Sequence, residues 1–261
     1  MNLLTIITLC LLSQLQLTSE QQRAVLEEAQ QAYDTGVSLQ TADPVAAKES
    51  FRRSAQRFQI LVDDGIENGY LLYNLGNANV QAGQFGVAIA AYRSASRYIP
   101  SDERLHANLV HARSLVNNPI ENQKSKTILT RLTFWHGSFP TNIRLGIGMI
   151  SWFAFWGLMS VRIFKGIPGF KTVSIFLGFI SIVLSVSVGL DITDQYSQHG
   201  VIVLNEVIVR KGNGVNYSPL FQEPIHEGVE FEIIEQRPNW VHILLPNGTQ
   251  GWVEEESVNI I

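Results

Sequence analysis

Few residues in this 261-residue chain have the type and spacing that catalysis needs. It contains no Gly-x-Ser-x-Gly nucleophile turn, no His-Glu-x-x-His zinc helix and no glycine loop for phosphate. His106 and His111 are five residues apart, so on one helix they point in different directions and make poor ligands for a shared metal. Asp63 and Asp64 are adjacent at the end of a predicted helix, where carboxylates cap backbone groups or meet water. The only cysteine, Cys10, allows neither an intrachain disulfide nor a thiolate zinc site. The expectation is a non-enzymatic protein with no cofactor and no metal.

The elements that position the remaining candidates are organised around two apolar runs. Leu145–Val161 and Thr172–Leu190 hold no charged residue. Roughly 17–25 such residues let a helix cross a ~30 Å hydrocarbon core. Between them lies a turn with Arg162, Lys165, Pro168, Gly169 and Lys171. This predicts a membrane hairpin, with Arg144 and Arg162 laying their stems along lipid and lifting their heads to the interface. Ser174, Gly178, Ser181, Ser185 and Gly189 form a small-residue stripe on the second run, a face that a neighbouring helix can approach closely. With no ionisable residue inside either run, transport and proton relay lack a candidate group.

The formal charge of −4 is unevenly spread: residues 1–142 are balanced, 143–190 carry +4, and 191–261 carry −8. An acidic C-terminal part argues against nucleic acid, which needs clustered cations. Leu3–Leu12 has the size of a signal-peptide apolar segment and is too short to span. Lys124, Lys126, Arg131 and Arg144 before the hairpin nearly balance the denser cations of its turn, so charge alone does not orient it. The signal-like start places both flanking parts outside the cytoplasm. The predicted layout is a signal-like segment (1–19), helical repeats (20–117), a linker (118–142) with Trp135 and His136 at the interface, spans at 143–164 and 172–190 around a cytoplasmic turn (165–171), and a C-terminal β-domain (199–261).

Residues 20–117 carry apolar positions at helical spacing, and Asp43-Pro44 reads as an N-cap followed by proline in the first turn. Leu72-x2-Leu75-Gly76-x11-Ala88-x3-Tyr92-x2-Ala95-x4-Pro100 resembles the 34-residue tetratricopeptide (TPR) pattern, with Asn79 where an aromatic is usual. Asn108-Leu109 repeats Asn74-Leu75, and Ala47-x3-Phe51 looks like the second helix of a degenerate upstream repeat. The resemblance implies a solenoid whose concave face shows Tyr70, Tyr73, Asn77, Gln81, Arg104, Asn108 and His111. Such a face, with two tyrosines, three amides and two cationic or titratable side chains, suits an extended peptide with an acidic end; the alternative is that these are ordinary solvated helix positions.

After Asp191 the apolar period becomes two. Val201–Leu204, Val207–Val209, Glu230–Glu235, Trp240–Leu245 and Gln250–Val253 read as strands, with a hairpin turn at Pro246-Asn247-Gly248. The run Asn205–Leu220, with Glu227-Gly228, Trp240-Val241 and Gly251-Trp252-Val253, resembles bacterial SH3-like domains. That resemblance implies a small barrel in which Tyr217, Trp240 and Trp252 either line a ligand groove or pack in the core.

The expected fold class is therefore a multidomain membrane protein: an all-α TPR solenoid, two transmembrane helices and an all-β SH3-like barrel. This order of parts resembles the BatE-type proteins of Bacteroides-aerotolerance operons. The resemblance implies a cell-envelope scaffold or adaptor in the bacterial inner membrane, with TPR and SH3-like parts on the periplasmic side. Its partners would be von Willebrand A-domain membrane proteins and a MoxR-type ATPase system. The alternative is binding of cell-wall peptide through the SH3-like domain.

Overall fold

A computed structural model describes residues 16–116, 139, 141–165, 170–196 and 198–261. The apolar part of the signal-like segment, the linker over 117–138 and 140 with Trp135 and His136, and the centre of the turn at 166–169 lie outside the described residues. The chain separates into two compact units. One joins Met1–Glu121 to His199–Ile261; the other is Asn122–Gln198.

The first unit begins with helices α1 (Ser19–Leu39), α2 (Pro44–Asp63), α3 (Gly69–Ala82), α4 (Phe85–Tyr98) and α5 (Glu103–Ser114), each packed on the next. Local chemistry sets most of their ends. Thr18 and Gln21 form a capping box on α1, Asp43 accepts from the Ala46 N–H, Asn68 from Tyr70 and Leu71, and Asp102 from Arg104 and Leu105. Gly83 closes α3 in the left-handed region, at φ +74°.

Two close crossings hold the helices in pairs. A Cβ on Gly76 would lie 2.4 Å from the Tyr92 ring, and one on Gly36 would lie 2.8 Å from the Phe51 ring. Each glycine thus admits an aromatic side chain from the following helix; both rings are buried. Asn79 is also buried, and its amide donates to the Leu75 carbonyl one turn back, which satisfies it without a partner from another helix.

Helix α4 is the exception among the caps: its N-cap, Gln84, makes no side-chain bond. The missing acceptor comes from far along the chain. Glu227 Oε2 accepts from the Gly86 N–H at 2.8 Å, and a Cβ on Gly86 would lie 2.4 Å from the Ile202 carbonyl. Val201 joins Ile89, Tyr92, Leu105 and Leu109 in one apolar core, with Val116 and Ile261 against it. Glu230 receives Arg113 on both oxygens, Nε on Oε1 at 2.6 Å and Nη2 on Oε2 at 2.9 Å, and Oε2 also lies 3.3 Å from Arg93 Nε. The helices and the β-part, read in sequence as separate modules, meet in one apolar cluster and form one compact unit.

The β-part is a five-stranded antiparallel sheet in the order β4-β3-β2-β1-β5, with β1 His199–Ile202, β2 Glu230–Arg237, β3 Trp240–Leu244, β4 Gln250–Glu254 and β5 Val258–Ile260. Its core holds Ile202, Phe231, Val241, Ile243, Leu245 and Val253. The expected strand at Val207–Val209 makes only isolated bridges, because Glu206 turns the chain through φ +64°. From there Arg210 bridges Trp252, so the chain leaving β1 reaches the opposite edge of the sheet. Strand β5 is not foreseen: it is three residues long and follows a 3-10 turn at Glu255–Ser257 within an acidic run.

The second unit consists of α6 (Thr141–Lys165) and α7 (Phe170–Tyr196), packed together. Both are long and apolar enough to cross a membrane, with mean hydropathy 1.5 over Thr141–Phe164 and 2.4 over Lys171–Leu190. Ile150, Phe153, Phe164 and Phe179 face outward. Helix α7 continues through Asp191–Tyr196, since neither glycine nor proline follows Leu190 to stop it.

Two expectations for these helices need correction. Ser174, Gly178 and Ser181 are buried, with Ser181 Oγ donating to the Gly148 carbonyl at 3.1 Å and Gly178 facing Phe155; Ser185 and Gly189 are exposed. Steps of four, three and seven residues carry the buried row on to Val188, a 3.5-residue spacing, whereas the stripe advances faster and drifts off the seam. Arg144, expected to snorkel, is 4% exposed instead. Its guanidinium donates to the Phe139 carbonyl, Thr141 Oγ1 and Ser187 Oγ. Beside apolar helices, protein acceptors satisfy donors that would otherwise lose water.

Candidate functional site

The site lies along helices α1, α3 and α5. Asn77 of α3 is its centre. Its Oδ1 accepts from the Tyr92 hydroxyl at 2.7 Å and from Asn108 Nδ2 at 2.8 Å, while Asn108 also donates to the Tyr73 hydroxyl at 3.1 Å. The rings of Tyr73 and Tyr92 stand 6.0 Å apart. Burial, and secondarily the neighbouring Tyr73, push the Tyr92 phenol above its ordinary pKa, so it stays a donor at neutral pH. With its oxygen committed to two donors, Asn77 has a fixed orientation, and its amide N–H groups make no hydrogen bond among the described residues.

Beside Asn77 opens a trough of about 270 Å³ lined by Gln30, Tyr33 and Asp34 of α1, Phe58 of α2, and Asn74 and Asn77 of α3. Burial also raises the Tyr33 phenol, with Tyr73 and Asp34 adding to it. The lining thus offers the neutral Tyr33 phenol, three amides, the Phe58 ring and one carboxylate. Main-chain peptide groups, which need one donor and one acceptor per residue, suit such a lining.

Of the sequence-derived groove residues, Tyr73, Asn77 and Asn108 are brought together. Tyr70 is exposed, and His111 is exposed at the end of α5. Gln81 accepts from Gln40 Nε2 at 3.1 Å, tying α3 to the turn after α1. Arg104 turns back on its own helix cap, with Nη2 3.0 Å from Asp102 Oδ2; this hydrogen bond holds the Asp102 carboxyl below the usual carboxylate range. The expected free cation for an acidic ligand end is therefore already paired. A cap needs its carboxylate, and an arginine two residues on is within reach of it.

Sequence reasoning passed over Gln30, Tyr33, Asp34 and Asn74. A signal for them exists: Gly36 and Gly76 play the same part 40 residues apart, and that offset maps Gln30, Tyr33 and Asp34 onto Tyr70, Tyr73 and Asn74. Helix α2 has 20 residues where α4 has 14, and this longer second helix stretches the period from 34 to 40, which hides the register from a strict 34-residue search.

The second candidate, on the β-part, has a different form. Trp240, His242 and Trp252 lie on the face of β3 and β4 opposite Val241, Ile243 and Val253, hence outside the apolar core. Trp252 is buried even so: His242 stacks on it at 4.6 Å between ring centres, and the Arg237 guanidinium lies 5.0 Å from its ring centre. Tyr217 rests on Gly212 and is half exposed. Among the described residues no hydrogen bond or ring contact joins Tyr217 to either tryptophan. Asp63 and Asp64 also diverge, Asp63 taking Gln59 and Asp64 taking the Leu17 N–H and Gln22. Among the described residues no group of three His, Cys, Asp or Glu side chains stands close enough to hold a metal ion.

Compared with known proteins, the chain matches no family model and no curated sequence.

Proposed function

We propose that the protein is a membrane-anchored, non-enzymatic scaffold that holds an extended segment of a partner protein in the groove of a TPR-like helical array. The observation that carries this is Asn77: oriented by Tyr92 and Asn108, it keeps its amide donors free at the edge of the trough beside Asn74. Preset donors lower the ordering cost of binding. Helix pairs crossing at Gly36 and Gly76 support the TPR reading. The sheet order, the 3-10 turn before β5 and the Arg210–Trp252 bridge support an SH3-like barrel.

The hairpin reading of α6 and α7 follows from their length, composition and outward apolar side chains. Because the residues on both sides of the hairpin pack into one body, they belong on one face of the membrane, the periplasmic face if the N-terminal segment directs export. The resemblance to BatE-type proteins makes von Willebrand A-domain membrane proteins and a MoxR-type ATPase system the partner candidates. Cell-wall binding by the β-part has less behind it, since His242 and Arg237 cover the Trp252 ring.

The experiment is affinity capture from detergent-solubilised membranes with wild type, Asn74→Ala and Tyr73→Ala chains, read by mass spectrometry. Asn74 carries no described hydrogen bond, so its loss leaves the network intact. A partner recovered with wild type and lost with both variants supports the scaffold; recovery equal in all three contradicts it.

A further inference from the structure

We propose that the groove selects a peptide segment bearing a lysine or arginine, whose side chain enters the trough and meets Asp34. The inference rests on the peptide-groove reading and names the ligand class for the same site. It runs opposite to the acidic ligand that the sequence suggests.

Three observations carry it. The trough has one charged group in its lining, the Asp34 carboxylate, and no lysine, arginine or histidine. Asp34 forms no ion pair or hydrogen bond among the described residues. The arginines of the neighbouring depression, Arg53 and Arg57, line neither the trough nor its outward continuation, and Arg57 pairs with Glu28 at 3.0 Å.

The shape agrees with a side chain rather than a metabolite. A volume of about 270 Å³ falls below the ~300–1,000 Å³ of pockets that engulf small molecules. Phe58 and Tyr33 give apolar and aromatic surface beside the carboxylate. A lysine or arginine stem lies along such surface while its charged head reaches the acid, and an aromatic face adds cation–π attraction. Asn74 and Asn77 then meet the main chain of the same segment.

Asp34 also borders a shallower depression with Glu27, Gln30, Gln31, Thr35 and Ser38, so the groove continues outward along α1 with a second carboxylate and no cation. A glutamate or aspartate in the ligand would meet only like charge on this side.

The test uses the full-length chain in lipid nanodiscs and a positional-scanning library of acetylated, amidated decapeptides with Lys, Arg, Glu or Ala fixed at each position. Expected is enrichment of Lys and Arg at one position, with affinity for those peptides reduced about tenfold by Asp34→Asn and by raised salt. Thermal unfolding of the Asp34→Asn chain, whose side chain is exposed, checks that it remains folded. Peptides that bind without charge preference, and lose binding in Asn74→Ala, would overturn the cation selection and leave the groove standing. Enrichment of Glu would overturn it as well. No binding by any library member would overturn both readings.

Discussion

The Glu227 carboxylate caps helix α4 through the Gly86 N–H at 2.8 Å, across 141 residues of sequence. The helix has no cap of its own, so its N-terminal donors and positive dipole end depend on a residue of the β-part. Glu227→Ala should destabilise the folded unit by about 1–2 kcal/mol, the usual cost of a lost cap. Chemical denaturation of the detergent-solubilised chain measures it. Glu227→Gln should recover part of the loss, because its oxygen still accepts but carries no charge.

Gly86 is needed for the same junction. Alanine would gain about 1 kcal/mol of helix propensity in isolation. Here its Cβ meets the Ile202 backbone carbonyl at 2.4 Å, and backbone yields less readily than a side-chain tip. Gly86→Ala should therefore lower stability despite its better propensity. Denaturation midpoints of the Gly86→Ala and wild-type chains decide the sign.

Tyr92 links packing to the groove and titrates accordingly. Its folded-state pKa is raised by burial, so its contribution is complete below the unfolded phenol value of about 10 and falls as pH rises through the folded value. Stability should decline above about pH 10, and less steeply in Tyr92→Phe, which at neutral pH costs about 1 kcal/mol for the lost bond to Asn77. Circular dichroism followed over an alkaline titration separates the two chains. Tyr33 is raised in the same direction, so some decline should persist in the variant.

Within the hairpin, Gly178 is the close-approach position, with Phe155 3.2 Å from where a Cβ would stand. Gly178→Leu should part the helices, whereas Gly189→Leu, on the exposed side, should not. Thermal stability of the two variants in one detergent gives the comparison.

The helices were legible from sequence because caps and glycine crossings act locally: Asp43, Gly83 and the Gly76–Tyr92 pair declare themselves by type and spacing. The contact between helical and β-parts was not. Glu227, Glu230 and Val201 look like ordinary strand-region residues, and nothing in a one-dimensional pattern says that Arg113 or Gly86 will meet them. The groove was half legible. Tyr73, Asn77 and Asn108 follow from the repeat, but Tyr33 and Asp34 precede a second helix of 20 residues rather than 14, and that extra length breaks the period. Arg104 and Arg144 were misread for one reason: a long cation finds the nearest acceptor, which is a matter of three-dimensional reach.

The central claim is that the residues before and after the hairpin form one body on a single face of a membrane. Single cysteines at Val45, 81% exposed on α2, and at Glu256, exposed beside β5, in a chain with Cys10→Ser, test it by labelling with a membrane-impermeant maleimide in intact spheroplasts and in inverted vesicles. The account predicts that both positions label in the same preparation and are protected in the other. Labelling of the two positions from opposite sides would contradict it.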